Sequence, residues 1–296
     1  MDSHDYYKDQ GYAIVKNVVD SKIIDSYLKC VDLAVSDSLN YVETQDTHTY
    51  EKLSYNKDGF IEHSIQNPHT YPWRKDFRNK VADIICHEKV IEALNTVTNN
   101  YSKKGVWQSM YFDKSTGTLG HQDTYYLDTE PYGGVTGIWF ALEDIEIDAG
   151  PFYVIPESHK EGPFFNSNCK ERYGDHDEYT AKLSKYEEQN KDRIKPMLVN
   201  KGDIVVWSST TVHGAMHAKS NKASRKSLTA HYFPIDSKLK FHDRMPKLNV
   251  PKGKNIPVMG FPSEMDATKE KIKLVLKVLS QSLFGKKPSL EMRRTK

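Results

Sequence analysis

The stretch KGDIVVWSSTTVH, residues 201–213, contains the pattern that decides the fold. Gly202-Asp203 is a turn signal, and residues 204–208 are rich in β-branched and aromatic side chains, which favours a short strand. Short β-type runs between Gly and Pro turns continue on the N-terminal and C-terminal sides, and they predict further strands at 107–112, 135–142, 152–155 and 228–233. Many short strands of this kind indicate a mainly β fold with flanking helices, a double-stranded β-helix of the jelly-roll or cupin-like type.

Helices are predicted on both sides of this β-rich region. After a strand at 11–19, Asp20 caps a helix whose apolar residues recur at helical spacing to residue 35, and a second helix is predicted at about 76–94. The segment between them, 41–71, has no clear hydrophobic period. We expect it to be an irregular loop that could line a cavity. Near the C-terminus, 266–284 forms an amphipathic helix. We expect its apolar stripe to pack on the domain, and contact with a membrane surface is the alternative.

We expect one single domain over residues 1–296. A helical and irregular part (about 1–105) precedes the jelly-roll core (about 106–235), and a helical extension (about 236–296) follows it. A long charged insertion at about 161–196 interrupts the core. It could be a lid over a site or a plain surface excursion, and the sequence leaves both open.

Composition argues against several classes of protein. With 42 Lys and Arg against 40 Asp and Glu, the net charge is +2, so no nucleic-acid partner is expected. Cys30, Cys86 and Cys169 are far apart and show no Cys-x-x-Cys spacing, which indicates unpaired thiols in a reducing compartment. No secretion signal and no apolar run of membrane-spanning length is apparent, so we expect a cytoplasmic protein without a membrane partner.

The chemistry of the chain centres on a pair of residues that share one face of an extended segment. His121 and Asp123 are two apart, so on a strand both side chains point the same way and could reach one metal ion. One such pair arises by chance in a chain of this length, so the context decides its meaning. His213, just beyond the strand predicted at 204–208, could supply a third ligand. Two histidines and one carboxylate on one face of a ferrous ion are typical of non-haem iron oxygenases.

A fixed cation accompanies these three residues. Arg225 lies twelve residues beyond His213 and directly before the strand predicted at 228–233. Its planar guanidinium can bind a carboxylate through two hydrogen bonds, and the hydroxyl of Ser227, on the same face, can add another. This pairing predicts a dicarboxylate cosubstrate beside the metal.

Several motifs together resemble the phytanoyl-CoA dioxygenase family. The match covers roughly residues 8–235, which is most of the chain, and its motifs in order are His121-Gln122-Asp123, GIWFALED with Trp139 (137–144), GPFYVIPESH (150–159), GDIVVW (202–207), His213 and Arg225. The set is far more specific than any one of its members.

The resemblance implies an enzyme with Fe(II), 2-oxoglutarate and O2 as cofactor and cosubstrates. It implies that His121, Asp123 and His213 bind the iron, that Arg225 pairs with the distal carboxylate of 2-oxoglutarate, and that Ser227, Gln122 and Trp139 support that contact. Related halogenases carry Gly or Ala in place of the aspartate, so Asp123 indicates hydroxylation, desaturation or cyclisation and not halogenation. Two departures from the family pattern are Glu157, where Gly is usual, and Ala215, where some members have Ser.

Other residues in the same region have simpler interpretations. His217 lies on the same face as His213 and is its main rival, but the spacing to Arg225 favours His213. His231 is expected to be a satisfied barrel residue, and Trp139 could be core or cosubstrate contact. The candidate substrate contacts, which could equally be strand packing, are Gln108, Tyr125 and Tyr126.

The most specific function that the sequence supports is a 2-oxoglutarate-dependent dioxygenase that hydroxylates a small organic metabolite and releases succinate and carbon dioxide. An oxidative cyclase or desaturase is the alternative within the same chemistry. A metal-binding jelly-roll module without catalysis is the alternative of another class, although such a site has no use for the cosubstrate arginine. The sequence does not identify the substrate or the oligomeric state.

Overall fold

The computed structural model of the chain describes residues 2–45, 49–61, 63–165, 176–240, 242, 245–263 and 266–285. The helices are α1 (Ser3–Gln10), α2 (Ser21–Val35), α3 (Lys75–Ile85), α4 (Glu88–Thr98), α5 (His176–Gln189) and α6 (Asp266–Phe284). The strands are β1 (Tyr12–Val15), β2 (Tyr41–Glu43), β3 (Tyr50–Lys52), β4 (Ile65–Gln66), β5 (Lys104–Phe112), β6 (Thr129–Glu130), β7 (Thr136–Ala141), β8 (Phe152–Val154), β9 (Lys195–Pro196), β10 (Ile204–Ser208), β11 (His213–Ala215), β12 (Ser227–Pro234), β13 (Lys238–Leu239), β14 (Leu248–Asn249) and β15 (Val258–Met259).

Two sheets position the site. The major sheet has eight strands in the order β1-β10-β7-β12-β5-β15-β14, with β4 also paired to β5, and the minor sheet has the order β11-β8-β9. Pairing is antiparallel except between β15 and β5. The N-terminal part, the core and the C-terminal extension each contribute strands to the major sheet. We therefore propose that they form one domain, as expected.

The period of two along the strands places alternate side chains in two different apolar clusters. Phe140 and Val206 face one way, where they join the apolar residues of α2, α3 and α4 in the larger core. Trp139, Val205 and Trp207 face the other way and pack against the minor sheet. The second face is the one that borders the site.

The predicted elements agree with the structure in most places. The strand predicted at 204–208 has those bounds, the other four core strands differ by one to three residues at their ends, and α2 follows its predicted cap, with the Asp20 carboxylate accepting from Lys22 N at 2.7 Å. The single helix predicted at 76–94 is wrong, because the chain breaks into α3 and α4. His87 adopts an extended conformation between them, and its Nδ1 accepts from Lys89 N as the cap of the second helix.

Helix α6 has the predicted bounds, but its predicted packing is wrong. The apolar stripe faces outward: Ile272, Leu276, Leu279 and Leu283 are each more than half exposed. Side-chain contacts hold the opposite side of the helix on the domain, where Gln281 bonds the backbone of Tyr50 and Lys277 lies over the Tyr50 ring. No helix in the described part of the chain is long and apolar enough to cross a membrane.

Candidate active site

Three buried side chains converge between the sheets. His121, Asp123 and His213 each offer a ligand atom, and these atoms lie within 4.8 Å of one another, so the group could hold a metal ion. Asp123 Oδ1 lies 3.7 Å from His121 Nε2 and 3.4 Å from His213 Nε2. The structure thus brings the three predicted ligands together, and the rival His217 is exposed and outside the group.

Backbone pairing explains how residues so far apart in sequence meet. His121 N donates to His213 O at 2.9 Å, and His213 N donates to His121 O at 3.0 Å, which attaches the first ligand to the edge of β11. Asp123 begins a 3-10 turn, Asp123–Tyr125, directly after this bridge. The turn directs its carboxylate back toward the two imidazoles.

The hydrogen bonds of both histidines leave the same ring nitrogen available. His121 Nδ1 lies 2.8 Å from Leu119 O, and His213 Nδ1 lies 2.9 Å from Thr211 O. Because a carbonyl only accepts, each Nδ1 carries a proton, and Nε2 is the ring nitrogen that faces the group and can bind a metal. Burial, together with the neighbouring His213, lowers the pKa of His121 to about 4, which favours the neutral ligand form.

The second oxygen of Asp123 has partners of its own. Trp207 Nε1 donates to Oδ2 at 2.9 Å, and His231 Nε2 lies 3.3 Å from the same atom. Burial by itself would raise the pKa of Asp123, but His231 and His213 hold it well below its usual range. His231 was expected to be an ordinary barrel residue. The sequence signal that could have placed His231 at the site is its position six residues beyond Arg225, on the strand face shared with Ser227 and Thr229.

Arg225 is a buried cation, and none of the described carboxylates forms an ion pair with it. The residue is 2% exposed, and its Nη2 donates to Lys114 O at 3.4 Å. The guanidinium lies 5.3 Å from the Phe112 ring and 5.9 Å from the Trp139 ring, and its Nε has no hydrogen-bond partner. Burial lowers the pKa of Arg225 to about 10. A buried charge of this kind needs a counter-ion, which a bound carboxylate would supply.

The triad and Arg225 line one open cavity, whose empty volume is about 900 Å³ when the solvent at its mouth is included. Of the remaining predicted contacts, Gln108, Tyr126 and Trp139 line it too. Gln45 and Gln66 also reach it from the irregular N-terminal segment, in agreement with the cavity-lining option for 41–71. Both glutamines had no motif to mark them in the sequence.

Three predicted contacts lie elsewhere. Gln122 is completely buried on the other side of the loop, where its amide donates to Thr210 O. Ser227 Oγ donates to the backbone oxygen of Arg225 at 3.3 Å. Tyr125 stacks on Tyr179 at 3.8 Å between ring centroids. These three side chains therefore do not line the cavity, in contrast to the prediction that they contact cosubstrate or substrate.

The described part of the 161–196 insertion supports the metal-bearing loop from behind. Tyr179, on α5, accepts from Gln122 N at 2.8 Å and donates to Gln122 O at 3.2 Å, so it binds both backbone groups of the residue between two candidate ligands. No described residue of the insertion lines the cavity. This favours a supporting element over a lid; residues 166–175 lie outside the described part.

The residues present fit both iron and 2-oxoglutarate. Two neutral imidazoles and one carboxylate are the donor set that ferrous oxygenases use, with further coordination positions left open. In the same cavity, Arg225 could pair with a carboxylate of 2-oxoglutarate. The buried indole nitrogen of Trp139 has no hydrogen-bond partner and could donate to a bound ligand. A purely structural metal site would not need that cation.

Comparison with known proteins agrees with this chemistry. Residues 7–227 match the family model described as phytanoyl-CoA dioxygenase (PhyH). A phytanoyl-CoA dioxygenase domain-containing protein 1 homolog from Caenorhabditis elegans is 23% identical over 265 residues, which cover 78% of this chain and 89% of that protein. The corresponding protein from Danio rerio is 32% identical over 159 residues, which cover 50% of this chain and only 47% of the relative.

Solved structures confirm the fold. The non-haem alpha ketoglutarate dependent carbocyclase SnoK from nogalamycin biosynthesis superposes with a TM-score of 0.59 at 15% identity, covering 82% of this chain and 87% of that one. EctD from S. alaskensis, with 2-oxoglutarate and 5-hydroxyectoine, gives 0.57 at 14% identity, covering 88% and 87%. The predicted jelly-roll fold is thereby confirmed.

Proposed function

Because the chain belongs to the phytanoyl-CoA dioxygenase family, and is thus a 2-oxoglutarate-dependent non-haem iron oxygenase, we propose that it hydroxylates an unactivated C–H bond of a small organic metabolite. Succinate and carbon dioxide are the expected coproducts. The observation that carries the proposal is the buried Arg225, which has no ion pair among the described residues and lies in the cavity that also contains the three candidate ligands.

Each residue has a defined part in the proposed reaction. His121, Asp123 and His213 hold the iron, and Arg225 binds the distal carboxylate of 2-oxoglutarate beside the Trp139 ring. When bound, the metal with 2-oxoglutarate and O2 supplies the oxidising power, which no protein side chain has. The protein excludes water, since the three ligand residues are at most 9% exposed, and it orients the substrate along the cavity wall.

The lining favours an uncharged polar or amphiphilic substrate. Gln45, Gln66 and Gln108 present carboxamides, which can both donate and accept hydrogen bonds, beside apolar residues such as Met110. Apart from the candidate ligands, the only ionisable cavity residues among those described are Arg225, His231 and Tyr126. Nothing in this lining resembles a cluster of cations for the phosphates of coenzyme A, which supports a small metabolite over an acyl-CoA.

Ring closure or desaturation is the second candidate outcome. The similarity to a protein named as a carbocyclase suggests it, while the similarity to a protein crystallised with 5-hydroxyectoine suggests hydroxylation. All of these outcomes begin with removal of a substrate hydrogen and differ in the fate of the substrate radical. The carboxylate of Asp123 occupies the place that halogenases leave free, so we exclude halogenation from the proposal.

Two experiments test the proposed function. Anaerobic addition of Fe(II) and then 2-oxoglutarate should produce a visible charge-transfer band, which Asp123→Ala should abolish. A metabolite screen that follows succinate release should then find a compound whose product gains one oxygen atom. A product that lacks two hydrogens would replace hydroxylation by desaturation or ring closure. Absence of the band from the folded wild-type protein would refute the proposal.

A further inference from the structure

The two oxygens of Asp123 have different surroundings. Oδ1 faces the Nε2 atoms of His121 and His213, and Oδ2 faces Trp207 Nε1 and His231 Nε2. We propose that Trp207 and His231 are positioning residues, which retain Oδ2 so that Asp123 offers the metal Oδ1 alone. This inference rests on the proposed function and adds to it the residues that determine how the carboxylate binds.

Trp207 makes the stronger of the two contacts. Its indole N–H is 2.9 Å from Oδ2, and the side chain is 1% exposed. The ring packs against Phe152 and His213 at centroid distances of 5.0 and 4.9 Å. Its neighbour across the β10–β7 pair is Gly137, where an added methyl group would overlap the indole. The absence of a side chain at Gly137 therefore gives the indole its place.

His231 approaches the same oxygen from the next strand. Its Nε2 is 3.3 Å from Oδ2, within ion-pair distance, but the alignment is not that of a hydrogen bond, in contrast to the contact of Trp207. Its Nδ1 lies 3.4 Å from Gln108 Nε2, and an amide nitrogen can only donate. Nδ1 is then the acceptor, and Nε2, the ring nitrogen nearer to Asp123, carries the hydrogen.

The consequence concerns the open positions on the metal. A carboxylate whose second oxygen is held by a neighbouring N–H donor binds through one oxygen and leaves room for 2-oxoglutarate and O2. Without the Trp207 donor and the nearby His231 ring, Oδ2 would be a buried anionic oxygen with no partner, and the metal would be the nearest cation. We therefore expect loss of these two side chains to weaken 2-oxoglutarate binding. Metal binding should weaken too, because partners of this kind hold a ligand in its orientation.

The variants separate the donors from the packing. Trp207→Phe removes the indole N–H and keeps an aromatic ring, with Trp107→Phe as the matched control on β5, since Trp107 is buried and outside the cavity. His231→Leu removes the second donor, whereas His231→Gln replaces it with an amide N–H. Gly137→Ala should displace the indole without altering any polar group.

Three quantities are measured for each variant: the melting temperature without metal, the Kd for Fe(II), and the 2-oxoglutarate concentration at which the charge-transfer band reaches half of its maximum intensity. We expect Trp207→Phe and Gly137→Ala to weaken Fe(II) binding about 10- to 100-fold and to raise the 2-oxoglutarate midpoint. His231→Leu should have a smaller effect, and His231→Gln should recover most of it. Trp107→Phe should change the melting temperature only.

Each result decides the inference. It is overturned if Trp207→Phe, while folded, binds iron and 2-oxoglutarate as tightly as Trp107→Phe. It is also overturned if His231→Gln loses as much as His231→Leu, because the role would then be packing. If Trp207→Phe does not fold, the two His231 variants decide alone. If the wild-type protein itself shows no band, the proposed function fails, and that failure is distinct from equal behaviour of the variants.

Discussion

Replacing Arg225 with methionine should have opposite effects on the empty protein and on its complex with 2-oxoglutarate. The arginine is buried, lacks an ion-pair partner among the described residues, and borders the cavity. In the empty protein, the buried charge of Arg225 lowers the folding stability. With 2-oxoglutarate bound, the same charge provides the main attraction for its carboxylate. Few other substitutions in this chain combine the two effects.

The magnitudes derive from its burial. The pKa of Arg225 is lowered by burial from 12.5 to about 10, and at about 1.4 kcal/mol per pKa unit the charge costs the empty protein roughly 3 kcal/mol. The folded pKa is the lower one, so this cost is fully present below pH 10. Removing one partner of a buried ion pair costs about 3–5 kcal/mol. The Kd for 2-oxoglutarate should therefore rise by roughly 100-fold to a few thousandfold.

Denaturant unfolding without metal, and titration of the Fe(II) charge-transfer band with 2-oxoglutarate, measure the two effects. Arg225→Met should be as stable as the wild type or more stable by up to about 3 kcal/mol. Arg225→Lys keeps a charge without the planar fork and should be intermediate in affinity, and Arg193→Met, a surface control paired with Glu161, should not change it. A 2-oxoglutarate affinity within threefold of wild type for Arg225→Met would show that this cation does not bind the cosubstrate.

Three further predictions concern stability. Tyr179→Phe removes both hydrogen bonds to the Gln122 backbone and should lower the unfolding free energy by about 1–3 kcal/mol. Tyr101→Phe, at an exposed site, is the control. An equal effect of the two substitutions would contradict the supporting role of α5. His69 is completely buried between Ser109 Oγ and Met259 O, and burial lowers its pKa to about 4. Stability should therefore fall by roughly 3 kcal/mol as the pH decreases from 6.5 to 4, and His69→Gln should lose this part of the pH dependence in denaturant titrations. Leu276→Ala, on the exposed stripe of α6, should cost under about 0.5 kcal/mol, whereas Leu94→Ala in the core should cost about 2–5 kcal/mol; equal losses would mean that the stripe is covered.

Local pattern predicted most of the elements and the candidate ligands. His121 and Asp123 are close in sequence, and a spacing of two has one meaning on an extended segment. The strand at 204–208 and the cap at Asp20 are equally local signals. Prediction failed at His87, because a capping histidine does not interrupt the apolar period that suggested one helix. It failed again at α6, because the period identifies an apolar stripe but not the surface against which the helix lies.

The sequence by itself determined the fold class, through runs of one residue type, and predicted the candidate site. His121 and Asp123 depend on a short spacing, whereas His213 and Arg225 depend on their order relative to the predicted strands and motifs. The tertiary structure alone decided what surrounds them. Gln122 turns away from the cavity, Gln45 and Gln66 enter it from a segment without a pattern, and His231 and Trp207 meet at the second oxygen of Asp123. These contacts depend on the register between strands distant in sequence, where a single position such as Gly137 makes the space, and no local period records that pairing.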